Sequence, residues 1–450
     1  MKDSLLDNSP ISPCRVYFLG IGGAGMYPLA RLAKQMGFAV SGCDRAESKN
    51  VARLRAIGIQ ADREERVSCL PTVDLLVYTL ATDGSHPLRR QATERGLTVL
   101  SRTEFLGRLM RAFPVRATVA GTHGKSSTVG FCAAVLQAAG MHPTVLIGAD
   151  LSEEDGGFLA GDGEILLLEA CEYKEAFLSL APTHALALNV DFEHPDFYKS
   201  EAAVKKAFES YLRLPTVKKA IARKDICAMA ESFGEQGGMH AEDVSLSLGR
   251  ARFTLCRGQE RLGAVSLSVL GEYQVENAVA AAALCSALGV EDGVILDGLS
   301  DYSGISGRME LKGYVGEAPV YLDYAHHPVE LSAALSFAAS LGKKVLCLFE
   351  AHTYSRVRAF EKEYTRLLRP AYRTGVLPIF PARERDTLGM SGARMAADAG
   401  ADYIPDYNSA AKYILEYADN DTAVFIIGAG TVGRTLSFLE KDPRFTSGHA

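Results

Sequence analysis

The feature that most constrains this chain is a glycine-rich loop between an apolar run and a helical pattern. Residues 119–128 read V-A-G-T-H-G-K-S-S-T and overlap the end of an apolar run, Val115–Ala120, which predicts a strand. Helical periodicity follows over Val129–Ala139. In a strand–loop–helix unit, backbone N–H groups and the positive end of the helix hold phosphate oxygens. Lys125 would reach the outer phosphates, and the hydroxyl of Ser126 would ligate Mg²⁺. The loop therefore predicts binding of a nucleoside triphosphate.

This loop departs at one position from the standard phosphate-binding pattern. Val119 stands where the first glycine of G-x-x-x-x-G-K belongs, while Gly121 and Gly124 keep the core G-x-x-G-K-S. A structural glycine turn before an N-capped helix is the alternative. The coincidence of a lysine with two hydroxyls at a strand-to-helix junction favours phosphate binding.

Composition and charge restrict the compartment and the partners. At 450 residues the chain is too long for a single hydrophobic core and predicts several domains. A net charge of −6 without a block of lysines and arginines argues against a nucleic-acid partner. Nine cysteines without a C-x-x-C pair indicate a reducing compartment. Because no signal-peptide core and no apolar run of ~18 residues is present, we expect a cytoplasmic protein without a membrane partner.

The N-terminal part carries a second glycine-rich turn. Arg15–Asp44 reads as strand, GIGGAGM turn, helix and strand, and Gly20, Gly22 and Gly25 satisfy G-x-G-x-x-G. Asp44 closes the second strand, as in the dinucleotide-binding fingerprint. The same geometry accepts any nucleotide diphosphate, including a UDP-sugar, and a purely structural turn stays an alternative.

The middle of the chain places carboxylates and a histidine at strand ends. Strands at Leu75–Leu80 and Thr98–Leu100 complete a first α/β domain, and a later apolar strand, Glu164–Glu169, ends in a carboxylate suited to Mg²⁺. The next strand, Ala185–Val190, runs into N-V-D-F-E-H, where His194 and its polar neighbours crowd the end of a parallel strand. This cluster favours a metal or phosphate role.

The last third again alternates strands and helices, after a stretch over residues 216–270 that predicts only a short hairpin or edge strands. The alternation predicts a parallel, Rossmann-like sheet. Strands Val320–Leu322 and Lys344–Phe349 are followed by D-Y-A-H-H-P and E-A-H-T-Y-S-R, so we expect the two histidine clusters to face one cleft. GAGTVG, which follows strand Ala423–Ile427, is interpreted as a packing turn or a nucleotide-proximal loop.

In order along the chain, the motifs GIGGAGM, AGTHGKSST, NVDFEH-P-D, LDYAHHPVE and FEAHTYSR resemble those of the Mur ligase family over nearly the whole length. The first motif and the double histidine are most similar to the branch that joins L-alanine to UDP-N-acetylmuramate. The resemblance implies an α/β protein of three domains with ATP and Mg²⁺ as cofactors, active in peptidoglycan precursor synthesis. The domains would be a Rossmann-like UDP-substrate-binding domain over residues 1–113, a central P-loop ATPase-like domain over 114–305, and a Rossmann-like domain over 306–450 that binds the amino acid and closes over ATP.

The resemblance also implies a role for each residue that matches a family motif. The catalytic set would be Lys125, Glu169, His194, His326 and His352. The metal ligands would be Ser126, Glu169 and His194. ATP would be bound by Gly121, Thr122, His123, Gly124, Lys125, Ser126, Ser127, Asn277, Arg308 and Asp323. The UDP-substrate would be bound by Gly22, Gly23, Ala24, Gly25, Met26 and Asp44, and the amino acid by Tyr324, His326, His352 and Arg356.

Several positions depart from the family pattern. Ser126–Ser127 replace two threonines and keep both hydroxyls, whereas Cys171 in E-A-C-E-Y replaces an acid next to the metal site. Gln274 replaces an asparagine, Ala325 replaces a glycine, and Thr353 stands where an arginine would help to hold the incoming carboxylate. The resemblance therefore leaves the identity of the added amino acid open.

The implied reaction has two steps. The substrate carboxylate attacks the γ-phosphate of ATP to give an acyl phosphate and ADP, and an amino-acid amine then displaces phosphate to form the amide. Lys125 and Mg²⁺ would stabilise the negative charge of both steps. Arg356 would hold the carboxylate of the amino acid, and His326 or His352 would take a proton from its amine.

Three other functions stay open. A recycling ligase that attaches a whole peptide to UDP-N-acetylmuramate shares the motifs and differs in the amino-acid pocket. A nucleotide-binding sensor or scaffold with an inactive ligase site belongs to another class, and the presence of Lys125, Glu169 and His194 together argues against it. An NAD oxidoreductase fits the first glycine turn alone. We expect UDP-N-acetylmuramate and a small amino acid as partners, and a monomer or homodimer.

Overall fold

Three successive α/β units, each built on its own sheet, make up the chain. A computed structural model describes residues 11–79, 81–151, 155–234, 238–247, 249–382 and 384–448. The α/β architecture predicted from the sequence is confirmed by these sheets. Within the described residues, none of the helices combines the length and apolarity needed to cross a bilayer.

The first unit is a five-stranded parallel sheet with strand order β3-β2-β1-β4-β5. Because the order reverses at β1, the glycine turn that follows this strand opens at the switch point where ligands bind in open α/β sheets. The predicted strand from Leu75 ends at Tyr78, and Leu80 lies outside the described residues. The elements are β1 (Arg15–Leu19), α1 (Met26–Gln35), β2 (Ala39–Asp44), α2 (Lys49–Ala56), β3 (Gln60–Arg63), β4 (Leu75–Tyr78), α3 (Pro87–Glu94), β5 (Thr98–Ser101) and α4 (Arg102–Leu109).

The central unit has a seven-stranded sheet in the order β12-β11-β10-β6-β9-β7-β8. Only the pairing of β7 with β8 is antiparallel among the described strand pairs of this sheet. Its elements are β6 (Val115–Ala120), α5 (Lys125–Ala138), β7 (Thr144–Leu146), β8 (Phe158–Leu159), β9 (Ile165–Glu169), β10 (His184–Ala187), α6 (Glu201–Leu212), β11 (Lys219–Ala222) and β12 (Glu231–Ser232).

Over residues 216–270 the sequence predicts a short hairpin or edge strands. β11 and β12 are indeed at one edge of the central sheet, whereas a separate three-stranded antiparallel sheet replaces the short hairpin. It consists of β13 (Met239–Ser247), β14 (Arg250–Arg257) and β15 (Glu260–Leu270), and it packs against α7 (Tyr273–Ala287) and α8 (Asp292–Asp301). β13 was not recognisable from the sequence, because a register shift between Glu242 and Ser245 interrupts the alternation of apolar and polar residues. In addition, most of its side chains are exposed.

The C-terminal unit is a seven-stranded sheet in the order β20-β19-β18-β21-β17-β16-β22, with antiparallel pairing of β16 to β17 and β22. GAGTVG is a packing turn here, because the N–H groups of Thr431 and Val432 donate to Glu350. The elements are β16 (Glu310–Val315), β17 (Ala318–Asp323), α9 (Pro328–Ser340), β18 (Lys344–Glu350), α10 (Tyr354–Ala359), α11 (Glu361–Leu368), β19 (Arg373–Val376), α12 (Gly392–Ala399), β20 (Asp402–Tyr403), α13 (Tyr407–Tyr417), β21 (Thr422–Gly428), α14 (Leu436–Leu439) and β22 (Phe445–Ser447).

Candidate active site

Three neighbouring strand ends of the central sheet form the predicted phosphate site. β10, β6 and β9 are adjacent and parallel, so the loops that follow them lie at one edge. Helix α5 begins at Lys125, Ser126 and Ser127 are buried in its first turn, and Gly124 caps it with a φ of 78°. A Cβ at Gly124 would overlap the side chain of Asn277 on α7. Glycine is therefore required both for the turn and for the close approach of α7.

The ammonium group of Lys125 lies inside the loop and is paired with a buried acid. It donates to the carbonyl oxygens of Gly121 and Thr122 and lies 3.1 Å from Glu172 Oε2. Glu172 is 2% exposed. Burial alone would raise the pKa of Glu172, but the charges of Lys125 and His194 lower it to about 2. The pair is ionised at neutral pH, so an anion that enters the loop competes with Glu172 for Lys125.

Two of the expected metal ligands are in direct contact. The hydroxyl of Ser126 donates to Glu169 Oε1 over 2.5 Å. A hydroxyl and a carboxylate are the hard oxygen donors that Mg²⁺ prefers, so this pair fits the ion. His194, the third expected ligand, shares Glu172 with Lys125, and its Nε2 lies 3.5 Å from Glu172 Oε1. An imidazole nitrogen suits transition metals better than Mg²⁺, so the oxygen pair is the better match.

His123 connects the loop to its surroundings through hydrogen bonds and charge. Its backbone N–H donates to Asn189 Oδ1 over 2.8 Å, and the N–H of Asp191 donates to Thr122 Oγ1 over 2.9 Å. The imidazole lies 3.2 Å from Asp191 and 3.5 Å from Glu330 at the start of α9. Burial would lower the pKa of His123, but the two carboxylates raise it to about 9. Protonated His123 therefore links the loop to the C-terminal unit.

Arg308 and Asp323 place the C-terminal unit next to the same loop. Arg308 Nη2 donates to Ser126 Oγ over 3.5 Å, and its guanidinium carbon lies 4.5 Å from the centre of the Tyr324 ring. Asp323 accepts a hydrogen bond from the backbone N–H of Met309, the residue after Arg308. Burial raises the pKa of Asp323 to about 6. This carboxyl group thus fixes the turn that carries Arg308 towards Ser126.

The four residues expected to bind the amino acid lie together. The ring centres of Tyr324 and His326 are 5.6 Å apart, and those of His326 and His352 are 5.5 Å apart. Arg356 Nη1 lies 2.7 Å from His352 Nδ1. Burial lowers the pKa of His326 to about 4, so its imidazole is neutral at pH 7. The expectation that both histidine clusters face one cleft agrees with this geometry.

Arg356 is already paired with a carboxylate of the central unit. Its Nε and Nη2 donate to Glu193 Oε1 over 3.1 and 2.8 Å. Both side chains are only 5% exposed. Burial would raise the pKa of Glu193, but the charge of Arg356 holds it well below its usual range. A carboxylate that binds Arg356 must therefore share or replace Glu193.

The glycine turn of the first unit forms a cluster of its own. The N–H of Gly22 donates to Asp44 Oδ2 over 2.9 Å, so this carboxylate holds the turn itself. A Cβ at Gly25 would overlap the guanidinium of Arg102, which places a cation beside the turn. Gly23 and Ala24 are exposed, and α1 begins directly afterwards at Met26, whose side chain is buried.

Sequence reasoning missed the partners of three acids, of which Glu172 and Glu193 are buried and Glu330 is partly buried. Glu172 pairs with Lys125, Glu193 with Arg356, and Glu330 with His123. Glu172 and Glu193 lie inside the motifs E-A-C-E-Y and NVDFEH. Their place in these motifs was the one feature of the sequence that pointed to a role in the site. Glu330 belongs to a capping box at the start of α9. In the sequence, an acid at this position indicates only where a helix begins.

Backbone strain also marks the site. Three non-glycine residues near it have a φ in the left-handed region: His194 at 53°, Met309 at 48° and Thr353 at 64°. Such conformations are unfavourable, most of all for a β-branched residue, and they persist where the surroundings impose them. Thr353 is buried directly beside His352, at the position where the family pattern has an arginine.

Comparisons with known proteins cover nearly the whole chain. Models of the Mur ligase family match residues 15–114 (catalytic domain), 119–285 (middle domain) and 307–430 (glutamate ligase domain). A UDP-N-acetylmuramate–L-alanine ligase of Caldicellulosiruptor bescii is 32% identical over 447 residues, which span 95% of this chain and 98% of the relative.

Solved structures show the same fold. A UDP-N-acetylmuramate–alanine ligase of Thermotoga maritima aligns with a TM-score of 0.83 at 23% identity, over 95% of this chain and 99% of that chain. A murein peptide ligase of Psychrobacter arcticus aligns with a TM-score of 0.69 at 21% identity, over 95% and 99% of the two chains.

Proposed function

The chain belongs to the Mur ligase family, and from this premise we propose that it joins L-alanine, or a similar small amino acid, to the carboxylate of UDP-N-acetylmuramate at the expense of ATP. The observation that carries the proposal is a phosphate-type loop with one ion pair, Lys125–Glu172, and one hydrogen-bonded pair, Ser126–Glu169. Arg308 reaches the same loop from another unit. Such a loop suits phosphoryl transfer and has no use in hydride transfer. Curated relatives named as L-alanine ligases support the substrates.

In the first proposed step, the substrate carboxylate attacks the γ-phosphorus of ATP, and ADP leaves. Lys125 would exchange Glu172 for phosphate oxygens and stabilise the charge that develops on the transferred group. Arg308 would supply a second cation from the C-terminal unit. Mg²⁺, held by Ser126 and Glu169, would neutralise phosphate charge when bound.

In the second proposed step, the amino group of the acceptor attacks the acyl phosphate and displaces inorganic phosphate. The planar guanidinium of Arg356 would orient the carboxylate of the acceptor through two donors. His326 is neutral at pH 7, and its ring centre lies 5.5 Å from that of His352, so either imidazole would be placed to take a proton from the ammonium group.

We further propose that the first unit binds the UDP part through Gly22, Gly23, Ala24, Gly25 and Met26, with Asp44 and Arg102 beside them. The exposed backbone of Gly23 and Ala24 and the adjacent guanidinium support a diphosphate site. All nine cysteines are free thiols, which supports the proposed cytoplasmic location. The chain would act as a monomer or homodimer, with domain boundaries near residues 113 and 305.

The test is release of phosphate from Mg·ATP with UDP-N-acetylmuramate and one acceptor at a time. L-Alanine, glycine, L-serine and an L-alanine-containing tripeptide form the panel. Release that needs both the UDP-sugar and one free amino acid supports the proposal and identifies the acceptor. Release with the tripeptide alone contradicts it in favour of a peptide recycling ligase. ATP binding without release under any condition points to an inactive ligase site.

A further inference from the structure

Three side chains that bind metals well meet on the three-stranded sheet, away from the candidate active site. His240 of β13 stands directly opposite Cys256 of β14, and Glu242 follows two residues later on β13. Met239 and Ala241 pack into the hydrophobic core of the central unit. Since side chains alternate along a strand, His240 and Glu242 point to the opposite face, where the register places Cys256 beside them.

The donor atoms of this cluster are close enough to share one ion. A nitrogen of His240, a carboxylate oxygen of Glu242 and the sulfur of Cys256 all lie within 4.8 Å of one another. His240 Nε2 is 3.5 Å from Glu242 Oε1. The other ring nitrogen, Nδ1, is buried and has no hydrogen-bond partner among the described residues. Buried polar atoms are normally paired, so the imidazole is not fully satisfied by protein groups alone.

The surroundings have the charge balance that a cation needs. Glu242 and Asp243 contribute two carboxylates, and Arg261 is the cation that contacts both of them. Arg261 donates a hydrogen bond to Glu242 Oε2, so the other carboxylate oxygen, Oε1, stays next to His240. Glu242, Asp243 and Arg261 together carry one net negative charge. On metal binding the Cys256 thiol would release its proton to solvent, and the thiolate would add a second negative charge.

We propose that His240, Glu242 and Cys256 form a binding site for a thiophilic divalent cation of the zinc class. Sulfur, imidazole nitrogen and carboxylate oxygen are the three donor types that tetrahedral Zn²⁺ sites combine, and the fourth position would go to water. The partly exposed carboxylate of Glu242 gives the ion a path from solvent. A bound ion would cross-link β13 to β14 and stabilise the sheet that packs against α7, the helix of Asn277. This site is independent of the proposed ligase activity.

The experiment is a Co²⁺ titration of the full chain after treatment with a chelator. We expect one equivalent of Co²⁺ to give a thiolate-to-cobalt charge-transfer band, and Zn²⁺ to remove it by competition. Cys256→Ser should abolish the band. His240→Gln, which keeps the thiol, should weaken Co²⁺ binding by roughly tenfold or more. Zn²⁺ should raise the unfolding temperature of the wild type and leave that of Cys256→Ser unchanged.

Two other cysteine variants serve as matched controls. Cys69→Ser removes an exposed thiol elsewhere, and Cys171→Ser removes the partly buried thiol next to the candidate active site. Both should keep the band. A band that survives in Cys256→Ser, disappears in Cys171→Ser, or is absent from the wild type would overturn the proposal. Unchanged affinity in a folded His240→Gln protein would overturn it as well.

Discussion

At the scale of single residues, Lys125 is the group on which the proposed phosphoryl transfer should depend most. Lys125→Ala should reduce kcat by roughly 10²–10³-fold, about 3 kcal/mol or more, because a charge-stabilising donor is lost where negative charge develops. Steady-state phosphate release measures this effect. Lys205→Ala, on the exposed face of α6, is the control and should keep full activity. Normal turnover by a folded Lys125→Ala protein would contradict the ATP assignment.

Arg356 tests recognition of the amino acid separately from phosphoryl transfer. Arg356→Lys keeps the charge and loses the planar fork, so the KM for the amino acid should rise by about tenfold or more while the KM for ATP stays within about twofold. The same substitution at Arg358, on the same short helix but with its side chain 59% exposed, is the control. An unchanged KM for the amino acid would show that Arg356 serves only its ion pair with Glu193.

At the scale of elements, the close approach of α7 to the start of α5 requires a glycine at position 124. Gly124→Ala should lower kcat by at least about 10²-fold, because a Cβ would displace Asn277 and distort the phosphate loop. The left-handed backbone at this position should also lower the free energy of unfolding by about 1–2 kcal/mol. Gly140→Ala, just beyond the other end of α5, also has positive φ but meets no atom within 4 Å. This variant should lose about 1 kcal/mol of stability through the left-handed backbone alone and keep its activity, as thermal unfolding and kinetics would show.

The elements also show how far sequence reasoning extends. β6 was predicted to the residue, because an apolar run ends at a glycine loop. β10 was predicted to reach Val190 but ends at Ala187, because Asn189 leaves the ladder to bind the backbone of His123. The contact between Asn189 and His123 joins loops that are distant in sequence, so the local pattern of apolar residues cannot predict it. The same holds for Glu193, whose partner Arg356 is supplied by another unit.

At the scale of the whole molecule, the central and C-terminal units meet through polar contacts at the candidate site. Arg308 reaches Ser126, Arg356 pairs with Glu193, and Glu330 lies beside His123. These contacts use the same groups that would bind ATP and the amino acid. If these residues bind the substrates as proposed, substrate binding and docking of the two units would be coupled, since a ligand that displaces one partner of a pair changes the interface.

This coupling predicts a pH dependence that originates at His123. Its pKa is about 9 in the folded chain and about 6.5 when unfolded, so its contribution is complete below pH 6.5 and is lost as the pH rises through 9. The imidazole is 12% exposed, and the shift corresponds to about 3 kcal/mol. The unfolding temperature should therefore fall between pH 6.5 and 9, and the radius of gyration from small-angle scattering should increase as the units separate.

A neutral replacement isolates that contribution. In His123→Gln the decline between pH 6.5 and 9 should become shallow, because no proton is lost between Asp191 and Glu330. His142→Gln, at an exposed histidine outside this interface, should keep the wild-type slope. A wild-type decline that persists unchanged in His123→Gln would assign the alkaline sensitivity to other groups. Loss of the decline together with a constant radius of gyration would confine His123 to stabilising its own loop.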